Sequence, residues 1–413
     1  MGIFRSIYHY LLARFGSAIY GNPSRKLFVV GVTGTKGKST VIEIINAILE
    51  AAGKKTALLS SVRFKIDQKS QTNLTGMSMP GRLFIQKFLS ETVKAGCEFA
   101  IIEVTSQGVL QHRHRFVDFG AAIITNLEPE HIEAHGSFED YRASKVKFFR
   151  DVALHSERHM KTFLINSDAK DNQFFADAVR GRGRIIYYNK KDVLEFKIKT
   201  RLIGDFNFEN IAAAIAFARS LNIDWDTIKN AVESFGGVPG RLEFIQKVPF
   251  SVVIDYAHTP DSLEKVYYTL HDAAKSGNRK RGTKLNLGKL ICVLGSAGGG
   301  RDVWKRPIMG KIASDHCDQI FLTNEDPFNE DPNRILDDIA QGIPEEYKGN
   351  VKRILEREEA IRMAIKSAKK GDTVVITGKG CEPYLRIRGG KKIPWNEKSI
   401  VTRILNEQRI EMG

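Results

Sequence analysis

The chain has few cysteines, and their spacing argues against two kinds of site. Cys97, Cys292, Cys317 and Cys381 are the four cysteines among 413 residues, and no two of them form a Cys-x-x-Cys pair. Zinc sites and the disulfide networks of small secreted domains both need closely repeated cysteines. We therefore expect neither a zinc site nor a disulfide framework, and we expect a cytoplasmic protein in a reducing compartment.

Long apolar runs are also missing. No segment approaches the roughly 18–20 apolar residues of a membrane-spanning helix, and residues 3–20 are too polar for a cleaved secretory signal. Those residues do carry apolar side chains at helical spacing, interrupted by Arg5, His9 and Arg14, so they predict an amphipathic helix. Two interpretations stay open: a helix docked on the first domain, or a helix in contact with an anionic membrane surface.

Acidic residues are outnumbered by basic ones. Lys and Arg total 63 against 48 Asp and Glu, which gives a formal net charge of +15. This excess favours anionic partners, for which ATP and an acidic substrate suffice. The basic residues are spread along the chain without a nucleic-acid-binding motif, so we expect no nucleic-acid partner. The length and the 42% hydrophobic content predict two or three globular domains.

What the sequence does contain is a phosphate-binding loop. The run LFVVGVTGTKGKST, residues 27–40, passes from β-branched residues into a glycine-rich loop that ends in Lys38 and Ser39. Glycines let backbone N–H groups approach phosphate oxygens, while the lysine supplies charge and the serine hydroxyl suits Mg²⁺. The strict spacing would need glycine in place of Val32. Residues 41–52 predict a helix whose N-terminus faces the anion.

The surrounding pattern predicts an α/β protein. Apolar runs indicate strands at 55–61, 98–104, 120–126, 163–168, 290–294 and 319–323, and a further strand and glycine turn at 372–382. Amphipathic or capped stretches indicate helices at 81–95 and 137–150, the second with Ser137 as N-cap. Residues 64–79 read as a polar loop and 181–199 as two β-rich pieces. The basic insert 275–289 reads as a solvated loop, with phosphate binding as the alternative.

Several motifs follow these elements. They are EVTSQGVLQHR at 103–113, LEPEHIEAHG at 127–136, ASK at 143–145, LIGDFNFEN at 202–210, DYAHTP at 255–260 and GKGCE at 378–382. With the phosphate loop, they resemble the Mur ligase superfamily, and its MurE branch in particular, from about residue 26 to the C-terminus. Members of the superfamily are ATP-dependent ligases that join a carboxylate to the amine of an amino acid.

The resemblance implies a domain plan. It places a P-loop-type central ATPase domain at 26–238 and a Rossmann-like C-terminal domain at 239–413, after an amphipathic helix and turn at 1–25. Full-length Mur ligases carry an N-terminal domain that grips the UDP part of the substrate. About two dozen residues precede the phosphate loop here, so we expect that domain to be missing.

The resemblance also assigns residues to ATP and metal. The residues implied to bind ATP are Thr33, Gly34, Thr35, Lys36, Gly37, Lys38, Ser39, Thr40, Asn210, Arg241 and Asp255. The catalytic set is Lys38, Glu103, His131 and Lys145. Two Mg²⁺ ions are implied, with the ligands Ser39, Glu103, His131 and Lys145. Carbamylation of Lys145 would turn its cation into a carboxylate, which is a ligand that Mg²⁺ prefers.

Substrate contacts follow in the same way. The acceptor is implied to contact Ser78, Thr105, Gln111 and Arg113. The incoming amino acid is implied to contact Arg301, Asp326, Gly378 and Glu382. Where diaminopimelate-adding enzymes have Asp-Asn-Pro-Arg, this chain has Phe328 in place of the arginine. Because that arginine would clamp a carboxylate in bidentate fashion, we expect an amino acid with a different far end, such as lysine or one with a neutral side chain.

The implied function is amide-bond formation through an acyl phosphate, with a muramyl-peptide-type acceptor, in peptidoglycan precursor synthesis. We expect a monomer that acts on small molecules: ATP, an amino acid and a carboxylate acceptor. Two alternatives remain: a folylpolyglutamate or polyglutamate ligase of the same superfamily, and a non-catalytic nucleotide-binding subunit. The strings at 255–260 and 111–113 favour the MurE branch.

Overall fold

The structure is a computed structural model that describes residues 3–130, 135–275, 288–300 and 302–412. The chain divides into two compact units, Met1–Arg201 with Asp205–Gly236, and Leu202–Gly204 with Gly237–Gly413. Each unit has a mostly parallel sheet with helices between its strands, so the predicted α/β class is confirmed. Within the described ranges, no helix is both long and apolar enough to cross a bilayer.

The first unit contains an eight-stranded sheet. Its strands are β1 Phe28–Thr33, β2 Thr56–Leu59, β3 Arg63–Ile66, β4 Lys69–Thr72, β5 Phe99–Glu103, β6 Phe119–Ile124, β7 Thr162–Asn166 and β8 Arg184–Tyr188. The order across the sheet is β4-β3-β2-β5-β1-β6-β7-β8, and only the β2–β3 and β3–β4 pairs are antiparallel. The described helices are α1 Ile3–Ile19, α2 Lys38–Ala51, α3 Arg82–Lys94, α4 Ser106–Leu110, α5 Phe138–His155, α6 Asn172–Val179, α7 Lys190–Glu195, α8 Phe206–Ser220 and α9 Trp225–Ser234.

The centre of this sheet is buried on both faces. Strands β5 and β6 have no exposed residue, and in β1 only the first residue is less than buried, which explains their continuous apolar sequences. Gly31 in β1 lets a helix approach closely: a Cβ there would lie 2.4 Å from the ring of Phe148 on α5 and 2.9 Å from Phe119. These contacts fix α5 against β1, next to the phosphate loop.

The second unit contains a six-stranded sheet and a separate hairpin. The strands are β9 Glu243–Gln246, β10 Ser251–Ile254, β11 Leu290–Leu294, β12 Gln319–Leu322, β13 Val351–Arg353, β14 Thr373–Ile376, β15 Tyr384–Arg386 and β16 Lys392–Pro394. The sheet order is β13-β12-β11-β14-β10-β9, with only β9 antiparallel, and β15 pairs with β16. The described helices are α10 Pro260–Lys275, α11 Lys305–His316, α12 Pro332–Ala340, α13 Arg357–Ser367 and α14 Glu397–Met412.

Two local predictions are wrong. Residues 64–79 include most of β3 and all of β4, an antiparallel edge hairpin, where the sequence predicted a loop. All four residues of β4 are polar and exposed, so no alternation marks the strand. The second β-rich piece of 181–199 is instead α7, which Asn189 and Asp192 cap reciprocally.

The structure contains one disulfide, which the cysteine spacing did not predict. Cys292 in β11 and Cys317, just before β12, are joined by a disulfide with a Cα–Cα distance of 6.1 Å. They lie 25 positions apart in sequence, with helix α11 between them, so the two cysteines meet through tertiary packing and local spacing does not reveal the pair. The cysteine pattern therefore gives no support for a reducing compartment. Cys97 and Cys381 are free.

Candidate functional site

The site of the first unit lies at the carboxyl ends of three adjacent parallel strands. Strand β1 pairs with β5 on one side and β6 on the other, although β5 and β6 are consecutive along the chain. This is a topological switch point, where open α/β sheets bind ligands. Glu103 ends β5, Gly34 begins the loop after β1, and Asn126 follows β6. The sequence thus places the phosphate loop between two polar strand ends.

The phosphate loop is packed too tightly for side chains at two positions. Gly34 has a φ of 145°, and a Cβ there would lie 1.9 Å from Thr125 Oγ1. Gly37 has a φ of 81°, and a Cβ there would lie 2.1 Å from Asn210 Oδ1. Asn210, a predicted ATP contact on α8, therefore lies directly against the loop.

Lys38 and Ser39 begin α2 and both face Glu103. The Lys38 Nζ donates hydrogen bonds to the carbonyl oxygens of Gly34 at 3.0 Å and Thr35 at 2.9 Å, and it lies 3.9 Å from Glu103 Oε1. Ser39 Oγ donates to Glu103 Oε2 at 3.2 Å. A buried carboxylate and a hydroxyl thus converge beside the loop lysine. Thr40 is buried in the same helical turn.

These oxygen donors fit a magnesium ion. Hydroxyl and carboxylate oxygens are the ligands that Mg²⁺ prefers, and Ser39 and Glu103 already face each other. The neighbouring Thr33 Oγ1 is sealed from solvent without a hydrogen-bond partner among the described residues. The predicted ligand His131 lies outside the described residues.

Lys145 reaches the same loop from α5. Its side chain is 2% exposed, its Nζ donates to the Gly34 carbonyl at 2.8 Å, and the amine lies 4.5 Å from the centre of the Tyr141 ring. Burial, followed by the charge of Lys38, lowers the pKa of the Lys145 amine well below its ordinary value. The environment therefore favours a neutral amine, which is a nucleophile.

The remaining loop residues are held by segments that follow β6. Lys36 donates its backbone N–H to Asn126 Oδ1 and its Nζ to Glu130 Oε1, both at 2.8 Å. Thr35 Oγ1 donates to the Glu128 carbonyl at 3.2 Å and lies 3.2 Å from the Tyr141 hydroxyl. These bonds hold the phosphate loop in a defined shape.

His135 is a site residue to which the sequence analysis gave no role. Its Nε2 lies 3.0 Å from Ser106 Oγ on α4, and its ring packs edge-on against Tyr141 with a centroid distance of 5.2 Å. Burial, followed by the charge of Lys145, lowers its pKa. His135 therefore connects α4 to the Lys145 region. Its signal in the sequence is the Ala-His-Gly that ends the 127–136 motif.

The four predicted acceptor residues lie close together. Thr105 caps α4 by accepting the Gly108 N–H at 3.0 Å, and Gln111 Oε1 accepts a hydrogen bond from Arg113 Nη2 at 2.7 Å. Arg113 also donates to the carbonyl of Met79, the residue after Ser78. A Cβ on Gly108 would lie 2.4 Å from the Met79 sulfur, so α4 touches the Ser78 segment.

Arg82 is a second residue that the sequence analysis missed. Its Nε and Nη2 donate to the Gln111 carbonyl at 2.9 and 2.6 Å, so Arg82 and Arg113 share one residue as acceptor. Burial lowers the pKa of both guanidiniums, and the charge of Arg113 lowers that of Arg82 further. Within the described ranges neither forms an ion pair. Arg82 begins α3 outside any matched motif, so only the fold reveals its role.

In the second unit, Lys379 brings two predicted amino-acid contacts together. Its Nζ donates to Asp326 Oδ1 at 2.9 Å and to Glu382 Oε2 at 2.5 Å, and the Tyr256 hydroxyl donates to Glu382 Oε1 at 3.0 Å. Burial raises the pKa of Glu382, but the charges of Lys379 and Arg386 and the hydrogen bonds from Lys379 and Tyr256 together outweigh burial and leave the pKa below its ordinary value. Glu382 is therefore ionised at neutral pH.

Gly378, the third of these contacts, lies against a buried carboxyl group. Its φ is 106°, and a Cβ there would lie 2.3 Å from Glu325 Oε2. That oxygen has no hydrogen-bond partner among the described residues, and burial raises the pKa of Glu325 to about 7. The fourth contact, Arg301, lies outside the described residues.

Phe328 has an arginine beside it that comes from β15. Its N–H donates to the Arg386 carbonyl at 3.1 Å, and the Arg386 guanidinium lies 6.0 Å from the centre of its ring. Asp326 engages Arg386 twice: Oδ1 accepts its N–H at 2.9 Å, and Oδ2 lies 3.8 Å from its Nη1. Local sequence does not reveal Arg386, because the β15–β16 hairpin and the 324–329 loop are distant in sequence and meet only in the folded chain.

Arg241 and Asp255, two predicted ATP contacts, flank Tyr256. Asp255 accepts the backbone N–H groups of Leu242 and Ala257, each at 2.7 Å. The Arg241 guanidinium lies over the Tyr256 ring, 4.3 Å from its centre. The buried carboxylate thus holds the backbone next to Arg241, and its role toward ATP stays a prediction.

Comparison with known proteins gives the family. Residues 32–218 match the model of the Mur ligase middle domain, and residues 240–380 match the Mur ligase, glutamate ligase domain. The UDP-N-acetylmuramoyl-L-alanyl-D-glutamate--2,6-diaminopimelate ligase of Aquifex aeolicus (strain VF5) is 36% identical over 415 residues, which cover 95% of this chain and 80% of the relative. The UDP-N-acetylmuramyl-tripeptide synthetase of Roseiflexus sp. (strain RS-1) is 34% identical, with 96% of this chain and 82% of the relative covered.

Solved structures share the fold. One described as a UDP-N-acetylmuramoyl-L-alanyl-D-glutamate--2,6-diaminopimelate ligase matches with a TM-score of 0.60 and 28% identity, over 93% of this chain and 79% of that chain. The Mycobacterium tuberculosis folylpolyglutamate synthase complexed with ADP and AMPPCP matches with a TM-score of 0.68 over 90% of this chain and 96% of that chain, at 16% identity. Because relatives above 30% identity cover nearly the whole chain, and both domain models match it in order, the chain belongs to the Mur ligase family.

Proposed function

We propose that the chain is an ATP-dependent ligase that joins the carboxylate of a muramyl-peptide-type acceptor to the amine of an amino acid. The observation that carries the proposal is the position of two sets of residues on one strand end. Glu103 ends β5 beside Lys38 and Ser39, and Thr105 follows it as the cap of α4, the helix that leads to Gln111 and Arg113. A phosphate subsite and an acceptor subsite thus adjoin.

Two steps account for the reaction. An acceptor carboxylate oxygen attacks the γ-phosphorus of ATP, and the bond from that phosphorus to the bridging oxygen breaks. The products of this step are ADP and an acyl phosphate. The neutral amine then attacks the acyl carbon, inorganic phosphate departs with the bonding pair, and the new amide loses a proton. Lys38 and the backbone N–H groups of the loop stabilise the phosphoryl charge. Asp326 and Glu382 provide carboxylates that attract the incoming amine in its protonated state, and the amine releases its extra proton to water before it attacks.

Magnesium belongs to this proposal. Ser39 and Glu103 fit one ion by their chemistry, and we assign His131 and carbamylated Lys145 as further ligands of a two-ion site. When bound, Mg²⁺ neutralises charge on the phosphate oxygens. The carbamate forms when the neutral Lys145 amine adds to CO₂ and releases one proton. The lowered pKa of that amine supports this assignment, because a protonated amine does not add.

Arg82 and Arg113 define what the acceptor must offer. Two partly buried guanidiniums without an ion-pair partner among the described residues form a site for an anionic group, since a carboxylate or phosphate would supply the missing charge. We therefore assign an acidic group of the acceptor to this pair, with Ser78 and Thr105 as hydroxyl contacts. Glutamate-containing muramyl peptides carry such a group.

The amino acid is proposed to differ from diaminopimelate. Phe328 offers no fork for a distal carboxylate, and the nearby Arg386 already faces Asp326. A relative and a solved structure named above are described as diaminopimelate ligases. The amino-acid preference of this chain therefore tests whether the loop that carries Phe328 changes the preference. The predicted monomeric state accompanies the proposal, and sedimentation of the full chain would test it.

The test is ADP release by the purified protein, measured with ATP, a panel of acceptors and a panel of amino acids. We expect turnover only when a muramyl dipeptide acceptor and an amino acid are both present, and none with dihydrofolate and glutamate. Lys38→Ala should abolish it without changing thermal unfolding, because the Lys38 amine contacts loop carbonyl oxygens and Glu103 at the site and does not belong to the apolar core. Lys54→Ala, an exposed lysine paired with Glu98, is the control. Turnover with dihydrofolate and glutamate but not with the muramyl dipeptide acceptor, or full activity in Lys38→Ala, would contradict the proposal.

A further inference from the structure

Helix α1 is held to the first unit by one of its faces. Ser6 Oγ lies 2.8 Å from His112 Nε2, the Tyr10 ring packs edge-on against Phe116 with a centroid distance of 5.1 Å, and Ala13 is buried. These contacts confirm that the helix is docked. They also leave its opposite face without a partner among the described residues.

That opposite face is a continuous apolar stripe. Phe4 is 90% exposed, and Ile7, Leu11, Phe15 and Ile19 are each 52–58% exposed. The spacing of three and four residues aligns them on one side of the helix. Single exposed apolar residues are ordinary, but five large ones in a row on an ordered helix mark a binding surface.

The charges around the stripe are of one sign. Arg5 and Arg14 are exposed on the helix and Lys26 is exposed shortly after it, and no Asp or Glu precedes Glu43 in the sequence. An apolar stripe bordered by cations and free of anions is the composition of helices that lie in an anionic lipid interface. A protein partner would need a matching acidic rim, whereas an anionic bilayer supplies both the charge and the apolar phase.

We propose that α1 binds the surface of an anionic lipid bilayer, with the stripe among the acyl chains and Arg5 and Arg14 at the headgroups. The docked face of the same helix touches His112 and Phe116, which border the acceptor residues Gln111 and Arg113. Bilayer binding therefore holds the acceptor site about one helix diameter, roughly 10 Å, from the lipid. The binding itself does not depend on the ligase reaction.

The test is co-sedimentation of the full chain with vesicles of phosphatidylcholine alone or with phosphatidylglycerol added. We expect binding to the anionic vesicles that weakens as salt is raised. Leu11→Ser with Phe15→Ser should weaken it by at least about tenfold, because two large apolar side chains no longer enter the lipid. Met160→Ser, at a 72% exposed methionine of the same unit, should bind as the wild type does. Arg5→Gln with Arg14→Gln should remove the preference for anionic lipid.

Several outcomes would overturn the proposal. They are absence of wild-type binding to anionic vesicles, equal binding by the Leu11→Ser, Phe15→Ser variant, and lipid-free self-association that the same variant abolishes. The last outcome would mean that a second copy covers the stripe. Thermal unfolding verifies that the variants fold, since the replaced side chains are exposed. Turnover of a water-soluble acceptor should be unchanged in the variant, so loss of lipid binding is distinguishable from failure of the proposed ligase function.

Discussion

Lys145 is the residue whose chemistry depends most on its surroundings. Its amine is buried beside the phosphate loop, with a pKa far below that of a solvated lysine. We expect ¹³CO₂ to give a carbamate signal in NMR spectra of the wild type that Lys145→Ala lacks. That variant should also lose ligase activity and regain part of it when a short carboxylate such as formate is added.

The control for this experiment is Lys147→Ala, two residues after Lys145 on α5. Lys147 is partly exposed and pairs with Asp151, so its loss should change neither the carbamate signal nor the response to formate. A wild-type spectrum without the signal, at CO₂ concentrations that support full activity, would refute the carbamate.

Glu325 predicts how stability changes with pH. Its pKa is raised from 4.5 to about 7 by burial, so between these values the native state keeps a proton that the unfolded chain has lost. The free energy of unfolding should therefore fall as pH rises through this window. Glu325→Gln keeps a neutral side chain and should unfold with a free energy higher by up to about 3 kcal/mol above pH 7.

Urea unfolding below pH 4.5 and above pH 7 measures this difference. Below pH 4.5 the wild type and Glu325→Gln both carry a neutral side chain at this position, and their free energies of unfolding should converge. Glu330→Gln is the contrast, because the pKa of Glu330 is lowered by its hydrogen bond to Arg306, so that variant should lose stability at neutral pH. A constant gap between wild type and Glu325→Gln across the whole range would show that Glu325 does not titrate there.

At the scale of elements, we propose that the contact between the 324–329 loop and the β15–β16 hairpin sets the amino-acid preference. Phe328 and Arg386 meet there, and Asp326 engages the arginine. We expect Phe328→Arg to raise kcat/KM for diaminopimelate, relative to the preferred amino acid, by at least about tenfold, the ratio that ~1.4 kcal/mol sets. Competition assays with the two amino acids measure it.

Arg386→Ala separates two explanations of the same result. If diaminopimelate is disfavoured only because Phe328 replaces the arginine that would bind its distal carboxylate, Arg386→Ala should leave the wild-type ratio of the two kcat/KM values unchanged. A wild-type preference for diaminopimelate that Arg386→Ala removes would instead show that the hairpin arginine replaces the missing one, and the proposed specificity would be wrong.

Elements that the sequence predicted are those that the hydrophobic pattern marks strongly. Strands β5, β6 and β11 are continuous apolar runs because both of their faces are covered. The edge strand β4 and the short helix α7 were missed because polar, exposed segments carry no such pattern. Local sequence therefore identified the core of each sheet better than its edge.

The candidate site divides in the same way. Lys38, Ser39 and Glu103 were predicted because each lies in a contiguous motif at a strand end. Arg82 and Arg386 were not, because each begins or ends an element whose approach to the site depends on helix and hairpin packing. His135 was within a motif but had no assigned partner until the fold placed it beside Ser106.

At the scale of the whole molecule, the positions of the basic residues are more informative than the net charge of +15. The first 42 residues contain no acidic side chain, and the exposed cations of α1 lie beside its apolar stripe. The guanidiniums of Arg82 and Arg113 form a separate, partly buried group at the acceptor residues. The proposed lipid surface and the proposed acidic group of the acceptor would account for basic residues that composition alone assigns to no partner.

The disulfide between Cys292 and Cys317 turns the intervening chain into a closed covalent ring. Helix α11 and the Arg301 segment belong to that ring, so a single peptide-bond cleavage anywhere between the two cysteines opens the ring without dividing the molecule. The two fragments would migrate as one band on a gel without reducing agent and as two bands with it. The segment that carries the predicted amino-acid contact Arg301 therefore stays covalently attached to the protein through one of the two neighbouring strands after such a cleavage.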